Sequence, residues 1–559
     1  MSDNVYFGGR GVYSPGPAPE IIMASLVSSL TAWSCSFLYQ PAVGQLWDPS
    51  CFAVANGTFY CVSMYSENGD GNYLSGWLSV SPDGTQWRDV GPIAPSEPGT
   101  QWWKGFVLQR GTPPTFVLNH GVFEHGNNDA LRILTSTDLL NWVDNGTSRP
   151  DGRWYTGRGR WDHMYMSEDG AGGFIGFPVS SPLDRTRFAS TWPGVQRSSD
   201  GVRWTAHPPL NVTWGAMTPQ SIEEGGFERL ELSDRGGKAA YFLIGGGGAA
   251  HAQSSYSMWA FRADAVDGPY EPIKRRFRLS GGSAPHDPFL FGALAVWCRG
   301  VGGERLISQY MTAAGRGRAD VWMLPLRKPV VDASGSLRLG YWRVNDRLLG
   351  PAVGVQPAGR VDASCSGGDF GVSWVAAPDV AAHEVGLYLN ATLSGRGVGS
   401  VGLALSDVDV VTSVEAGLGG ERRAREGGGE QGASYTAILV DIGVDGDSGT
   451  ASRVVRVTSG AAPITLDSSG AFSCGAANLT CGVATVTAIT AAEEHHALLY
   501  FRKGMWELYI DGLLVQTFVY GGAYPLPASG VGRVGVACAG GAGPSTASLL
   551  SAKIGKMAR

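Results

Sequence analysis

A short turn pattern recurs along the first half of the chain. Serine is followed two positions later by aspartate, usually then by glycine, and after six positions by tryptophan, at Ser81–Trp87, Ser136–Trp142 and Ser198–Trp204. A weaker copy occupies Ala265–Tyr270, and the closing aromatic residues are 55, 62 and 66 positions apart. A spacing of about 60 residues, with strand-like runs between the turns, is typical of one four-stranded propeller blade. The pattern predicts a five-bladed β-propeller over residues 35–348; unrelated β-hairpins are the alternative.

Glycine usage supports an all-β chain. Of 559 residues, 82 are glycine, but the triplet register of collagen is missing. A disordered chain would be poor in apolar residues, whereas 43% of this sequence is hydrophobic. Because glycine disfavours helix interiors and suits tight turns, we expect many short strands joined by turns.

The second half of the chain predicts a β-sandwich. A segment rich in glycine and proline, residues 349–360, is expected to be a linker, and residues 361–559 contain short alternating runs. The clearest is Trp506–Ile510, followed by Asp511-Gly512 and Leu513–Tyr520. Asp-Gly between alternating runs is a strong hairpin signal. Residues 1–34 are expected to form an N-terminal extension.

Charge and composition narrow the set of partners. Forty-three basic residues against 49 acidic ones give a net charge of −6, which argues against nucleic acid and anionic membranes as partners. No apolar run reaches the length of a membrane span. The oligomeric state is not specified by the sequence, although a homodimer is compatible with it.

The eight cysteines include no Cys-x-x-Cys pair, so a zinc site is not expected. Buried free thiols are the first expectation, and disulfides such as Cys474–Cys481 are the alternative. The histidines His495 and His496 are adjacent on a strand and face opposite sides, so no metal site is predicted. Five Asn-x-Ser/Thr sequons and the even cysteine count favour secretion, although no signal peptide is recognised and a cytoplasmic location is the alternative.

Several acidic residues occupy the same phase of the repeats. Asp48, Asp162 and either Glu223 or Glu228 lie about 40 residues before the turn mark that follows each of them. The second repeat has Trp102, Trp103 and Lys104 at this phase. Since the innermost strands of a propeller surround one channel, we expect the acids to meet at its mouth. Ordinary rim residues are the alternative.

Clustered carboxylates without basic partners repel one another, so at least one of their pKa values should rise. Glycoside hydrolysis uses such a pair, with one carboxyl protonated and the other ionised. Tryptophan rings beside them suit the apolar faces of sugars.

These residues resemble the motifs of glycoside hydrolase family 32, the β-fructofuranosidases and related fructosyltransferases. Trp47-Asp48-Pro49-Ser50 and the hairpin after it are similar to the family's Trp-x-Asn-Asp-Pro-Asn-Gly motif, without its asparagines. Arg160-Trp161-Asp162-His163 resembles the Arg-Asp-Pro motif loosely. Glu223–Leu230 resembles the Glu-Cys-Pro motif, and a register beginning at Glu228 is the alternative. Trp103–Phe106 is weakly similar to Trp-Ser-Gly-Ser.

The resemblance implies a five-bladed propeller joined to a C-terminal β-sandwich, and a retaining glycosidase without cofactor or metal. It implies Asp48 as nucleophile, Glu223 as acid/base and Asp162 as the residue that holds fructosyl hydroxyl groups. Sugar contacts are expected from Trp47, Trp103, Arg160, Trp161 and His163. The expected substrates are sucrose, fructo-oligosaccharides or fructans, with hydrolysis or fructosyl transfer. The alternatives are an enzyme that acts on arabinofuranosides or another furanoside, and a carbohydrate-binding propeller without activity.

Overall fold

The structure is a computed structural model. It describes residues 34–35, 41, 44–54, 56–68, 72–97, 99–124, 127–213, 221–232, 238–247, 257–272, 279–281, 294–315, 318–332, 335–355, 360–365, 370–380, 386–407, 435–441, 453–458, 479–483, 493–502, 505–519 and 531–558. The predicted extension, residues 1–34, therefore lies almost wholly outside the described residues.

The first three blades follow one another along the chain. Blade 1 begins with an outer edge strand, β1 (Ser34–Cys35), and continues with β2 (Gln45–Ala53), β3 (Phe59–Ser66), β4 (Ser75–Ser81) and β5 (Gln86–Ile93). Blade 2 contains β6 (Gln101–Arg110), β7 (Thr115–Glu124), β8 (Asn127–Ser136) and β9 (Val143–Ser148). Blade 3 contains β10 (Trp161–Glu168), β11 (Phe174–Ser180), β12 (Trp192–Pro193), β13 (Val195–Ser198) and β14 (Thr205–His207).

Blades 4 and 5 complete the ring. Blade 4 contains β15 (Glu223–Glu231), β16 (Ala239–Gly247), β17 (Ser257–Ala263) and β18 (Ser280–Gly281). Blade 5 contains β19 (Leu294–Arg299), β20 (Arg305–Gly315), β21 (Arg318–Met323), β22 (Arg327–Val331) and β23 (Leu337–Tyr341). β19 then pairs in parallel with β2 through Arg299 and Phe52, which brings the last blade beside the first.

The recurring turn pattern joins the third strand of a blade to the fourth. In blade 1 the Ser81 hydroxyl accepts a hydrogen bond from the amide of Gly84 at 2.9 Å, and Asp83 accepts one from the amide of Thr85 at 2.9 Å. The same bonds recur from Ser136 and Ser198 in blades 2 and 3. Blades 1, 2 and 3 therefore each carry one turn mark between their third and fourth strands.

The sandwich is built around two long strands. Its strands are β24 (Leu349–Gly354), β25 (Val361–Cys365), β26 (Phe370–Val380), β27 (Leu387–Asp407), β28 (Tyr435–Asp441), β29 (Arg453–Thr458), β30 (Leu479–Val483), β31 (Glu494–Arg502), β32 (Met505–Ile510), β33 (Leu513–Val519) and β34 (Val531–Met557). β27 and β34 pair with each other, while β27 also pairs with β31 near its start and with β28 near its end. One buried apolar core of the sandwich includes Leu389, Val401, Val536 and Leu549.

Two details of the second half can be compared with the sequence. The hairpin at Asp511-Gly512 is confirmed, and both residues have the positive φ angles, 50° and 76°, that such a turn requires. The linker prediction was wrong for residues 349–354, since these form β24 and pair with the end of β34. A short 3-10 helix, Arg343–Leu348, makes the connection from β23 instead.

A buried ion pair lies at the interface between the propeller and the sandwich. Arg327 of β22 and Glu507 of β32 are both inaccessible to solvent, and their side chains approach to 2.8 Å. Tyr509 donates a hydrogen bond to the same carboxylate, and one apolar cluster runs from Trp297 in the propeller to Tyr500 in the sandwich. In the described ranges no helix is long and apolar enough to cross a membrane.

The cysteines divide into two groups. Cys51, Cys61 and Cys298 are buried free thiols, as expected. The expectation was wrong for Cys365 and Cys538, which form a disulfide between β25 and β34. The side chains of Cys474 and Cys481 lie outside the described residues.

Candidate active site

Four innermost strands carry a β-bulge at the same height, close to where each strand begins. The unpaired residues are Asp48 and Pro49 in β2, Lys104 in β6, His163 in β10 and Gly225 in β15. A bulge inserts an extra residue and re-aims the side chains around it. The bulges therefore define one layer around the channel, and the predicted acids of blades 1, 3 and 4 lie in it or next to it.

Asp48 lies in the bulge of β2 with a φ angle of 50°, a conformation that aspartate tolerates better than most residues. Its carboxylate accepts a hydrogen bond from the hydroxyl of Tyr310 on β20. Trp47 contacts the same tyrosine, edge to face, with ring centroids 6.5 Å apart. Asp48 and Trp47, both predicted for the site, therefore contact Tyr310, which was not predicted from the sequence.

Asp162 is fully buried and held from three sides. Asn128 and Arg160 each donate to Oδ2 at 2.7 Å, and His163 Nδ1 lies 3.0 Å from Oδ1. Gly121 makes this arrangement possible, because a Cβ atom there would lie 2.8 Å from the Cβ of Asp162 and 2.9 Å from Oδ1 of Asn128. Asn128 was not predicted, since it lies at the start of β8, outside the turn mark and the acidic motifs.

Glu223 opens β15, and its side chain is 20% exposed. Arg160 reaches it through Nη2, which lies 2.5 Å from Oε1, while Nε of the same guanidinium contacts Asp162. The two carboxylates of blades 3 and 4 therefore share one cation. Arg160 was predicted as a sugar contact, and the structure places it between the acids.

This shared cation changes the electrostatics expected from the sequence. Burial by itself raises the pKa of Asp162 and of Glu223, but Arg160 and then His163 oppose it, and both pKa values are held below their ordinary range. The prediction of a raised pKa was therefore wrong for these two carboxyls. It assumed that the cluster had no basic partner.

Glu228, the alternative acid/base, lies five residues further along β15 and belongs to a different group. Its buried carboxylate contacts Arg299 at 2.5 Å and Arg305 at 2.6 Å, and it accepts a hydrogen bond from Tyr165 at 2.5 Å. The structure does not bring Glu228 to the layer of bulges, so the register that begins at Glu223 agrees better with the geometry.

The predicted aromatic contacts separate into two sets. Trp103 lies near Gly121 and Asp162, and its ring packs against Phe123 at 5.3 Å. Trp161 does not lie beside the carboxylates. It is fully buried, and its ring packs against that of Tyr155, with centroids 4.7 Å apart. Neighbouring residues of a strand face opposite sides, so Trp161 points away when Asp162 points inward.

Among the described residues, no group of three or more histidine, cysteine, aspartate or glutamate side chains could hold a metal ion. The layer does offer three carboxylates, those of Asp48, Asp162 and Glu223. Asp48 is hydrogen-bonded to a neutral hydroxyl, whereas Asp162 and Glu223 are bound to a guanidinium. Asp48 thus has a different environment from Asp162 and Glu223.

Neither a protein-family model nor a curated protein sequence matches the chain. Solved structures with a similar fold include fructan 1-exohydrolase IIa from Cichorium intybus, 11% identical, with a TM-score of 0.63 over 93% of this chain and 96% of that one. A fructofuranosidase from Schwanniomyces occidentalis in complex with fructose is 11% identical, with a TM-score of 0.57 over 95% and 100% of the two chains. A glycoside hydrolase family 32 protein from Bifidobacterium adolescentis is 10% identical, with a TM-score of 0.57 over 95% and 82%. The chain therefore has the fold of glycoside hydrolase family 32, a five-bladed β-propeller followed by a β-sandwich.

Proposed function

We propose that the protein is a retaining glycoside hydrolase that acts on β-fructofuranosides. One observation supports the proposal: Asp48, Asp162 and Glu223 lie near the start of the first long strands of three different blades, each within two residues of a β-bulge. Retaining hydrolysis uses two carboxyls on either side of the scissile bond, through a covalent intermediate. The similar structures support the choice of sugar, because one of them is a fructofuranosidase in complex with fructose.

In this proposal Asp48 attacks the anomeric carbon of a terminal fructosyl unit. Tyr310 holds the carboxylate by its hydrogen bond and fixes the direction of attack. Glu223 protonates the leaving oxygen and then activates water or an acceptor sugar. Asp162 accepts hydrogen bonds from the fructosyl hydroxyls and offsets the positive charge of the transition state.

Arg160 must rearrange during this reaction. A general acid has to carry a proton, and Arg160 keeps the pKa of Glu223 low in the free protein. The Arg160 side chain is 28% exposed, so an entering sugar can reach it. When a fructosyl hydroxyl takes over the contact with Arg160, Glu223 is left in a drier setting that favours its protonated form.

The protein is also proposed to work in an oxidising compartment. The disulfide between Cys365 and Cys538 is of the kind that persists outside the cytosol. Two of the predicted sequons, at Asn56 and Asn145, are exposed on the propeller. Secretion would place the enzyme beside extracellular sugars.

The test is product analysis. The protein is incubated with sucrose, inulin and levan, and every product is identified, with an aryl arabinofuranoside and an aryl fructofuranoside run in parallel. Release of fructose, or its transfer to an acceptor, is the expected result. Release of arabinose with no fructose would favour the other furanosides.

The matched control is Asp48→Asn, which keeps the size of the side chain and removes the nucleophile. Its rate on the fructoside should fall by at least about a thousandfold. If wild type and variant release fructose equally, the assigned mechanism is wrong. If neither acts on any sugar while the protein still binds fructans, a binding propeller is the better description.

A further inference from the structure

Asn128 contacts the buried aspartate of the site from a neighbouring blade. It lies near the start of β8 in blade 2, is 6% exposed, and donates a hydrogen bond from Nδ2 to Oδ2 of Asp162 at 2.7 Å. Main-chain pairing fixes its place, because Asn128 and Arg160 form an isolated parallel β-bridge between the two blades. The side-chain hydrogen bond therefore crosses from blade 2 to an acid of blade 3.

The same amide carries a cost for the fold. Oδ1 of Asn128 is buried and has no hydrogen-bond partner among the residues that the structure describes. A buried polar atom without a partner loses the hydrogen bonds that it makes to water in the unfolded chain, and an apolar side chain of similar size would avoid this loss. Stability of the fold therefore gives little reason for an asparagine at this position, whereas the bond to Asp162 does.

A second asparagine at the same interface shows the structural arrangement. Asn119 on β7 is fully buried, its Nδ2 donates to the backbone carbonyl of Met164 at 2.8 Å, and its Oδ1 accepts from the amide of Met164 at 2.8 Å. Both of its polar atoms are satisfied by the backbone of β10. Asn128 differs because its side chain is bound to a carboxylate of the site and leaves its own oxygen unsatisfied.

The three groups around Asp162 differ in whether they can stay in place during the proposed reaction. Arg160 is shared with Glu223, 2.5 Å away, and it passes to the entering sugar. His163 contacts the other oxygen of Asp162, Oδ1, at 3.0 Å. Among the described residues, Asn128 is then the group that still donates to Oδ2. Its amide is a neutral donor, so protonation does not alter this bond.

We propose that Asn128 is a positioning residue, which keeps the carboxylate of Asp162 directed at the fructosyl unit after Arg160 has moved to the sugar. The inference rests on the proposed function, in which Asp162 accepts hydrogen bonds from the sugar and offsets the positive charge of the transition state. Asn128 acts only through Asp162 and takes no part in making or breaking bonds. Its loss should lower kcat more than it raises KM, because a misdirected Asp162 costs most in the transition state.

A kinetic double-mutant cycle tests this route. Asn128→Leu removes the donor with little change in volume, and its kcat/KM on an aryl fructofuranoside, corrected for the folded fraction, should fall roughly 10- to 150-fold, as for loss of a hydrogen bond to a charged group. In an Asp162→Ala background the same substitution should have almost no further effect, because the carboxylate that it orients is gone. The matched control is Asn119→Leu, which should lower the melting temperature and have the same effect on kcat/KM in both backgrounds.

The second experiment needs no activity. In a crystal structure of Asn128→Leu the carboxylate of Asp162 should turn away from its wild-type direction, whereas in Asn119→Leu it should keep that direction. Asn128→Ala, which adds no bulk, gives the same readouts if Asn128→Leu does not fold.

An unchanged Asp162 in the Asn128 variant, or a loss of kcat/KM that is equal in both backgrounds, would overturn the proposal. If the wild type hydrolyses no fructoside, the proposed function fails, and the direction of Asp162 in the crystal still decides whether Asn128 positions it.

Discussion

Arg160 lies 2.5 Å from Glu223, and through this contact a single guanidinium joins the predicted acid/base of blade 4 to the buried aspartate of blade 3. The contact makes Glu223 a stronger acid in the free protein than its burial would suggest.

Replacement of Arg160 should therefore move the pH profile. Because kcat/KM reports the free enzyme and Glu223 must be protonated, kcat/KM of wild type should fall as pH rises through the lowered pKa of Glu223. In Arg160→Gln the largest influence that opposes burial is removed, so the pKa of Glu223 rises and this falling limb should move to higher pH. The profile is measured on an aryl fructofuranoside, with the exposed Arg158→Gln as control. An unmoved limb in Arg160→Gln would contradict the role of the pair.

The same pair predicts how stability depends on pH. Asp162 and Glu223 have lowered pKa values in the folded state, so the stability they contribute is present above the pKa values of the unfolded chain, about 4. It is lost as pH falls through the lower, folded-state values. Urea unfolding between pH 3 and pH 6 should show a smaller acid loss in Arg160→Gln than in wild type. If the free energy of unfolding depends on pH equally in wild type and in Arg160→Gln, the contact of Arg160 with the two carboxylates contributes nothing to stability.

Tyr310→Phe should reduce activity without unfolding the protein. The variant removes the hydroxyl that donates to Asp48 and keeps the ring that packs against Trp47. A hydrogen bond to a charged group is worth about 1.5–3 kcal/mol, so kcat/KM should fall roughly 10- to 150-fold. Tyr60→Phe is the control, since the Tyr60 hydroxyl has no hydrogen-bond partner in the part of the chain that the structure describes. Wild-type activity in Tyr310→Phe would remove this tyrosine from the site.

Gly121→Ala should disturb the site from blade 2. The added methyl group would lie 2.8 Å from the Cβ of Asp162, closer than carbon atoms pack, and Asn128 is equally close. We expect a loss of about 1–3 kcal/mol in the free energy of unfolding, as for other overpacked positions, together with reduced kcat/KM. Gly152→Ala adds a methyl group where nothing lies within 4 Å, so it should be neutral. The idea fails if the two variants behave alike.

The ion pair between Arg327 and Glu507 at the domain interface can be tested with a double-mutant cycle. Arg327→Met leaves the buried Glu507 without its cation and should destabilise the protein by about 3–5 kcal/mol, and Glu507→Leu should cost a similar amount. The double variant should recover most of this loss, because an apolar pair avoids the desolvation of both charges. Urea unfolding provides the four values. Arg153→Met, in the exposed pair with Asp151, should change stability by less than about 1 kcal/mol. Simple additivity at Arg327 and Glu507 would contradict their coupling.

The sequence predicted those features that depend on local pattern. The turns at Asp83, Asp138 and Asp200 join the third strand of each blade to the fourth. The distances back from the marks at Trp87, Trp204 and Tyr270 predicted that Asp48, Asp162 and Glu223 occupy the same phase of their blades. The sequence could not decide between Glu223 and Glu228 as the acid/base. They lie five residues apart on the same strand, and position along that strand determines which end of the channel each side chain reaches.

Features that depend on partners distant in the chain were not predictable. The bulge at Lys104 exists only through the register between β6 and β7. Arg160 looked like a sugar contact, since nothing in the sequence indicates that its guanidinium spans two blades. Leu349–Gly354 has the composition of a linker and becomes a strand because β34, some two hundred residues later, lies beside it.

The long strand β34 has a consequence for synthesis of the protein. It pairs with β24, β25, β26 and β27, the first four strands of the sandwich, so none of these has its full set of partners until residues 531–557 have left the ribosome. The propeller is complete in sequence long before that point, and domains generally fold as units during synthesis. A nascent chain that pauses before Val531 would therefore carry a finished propeller and a set of unpaired strand edges, which is where chaperones would be needed most.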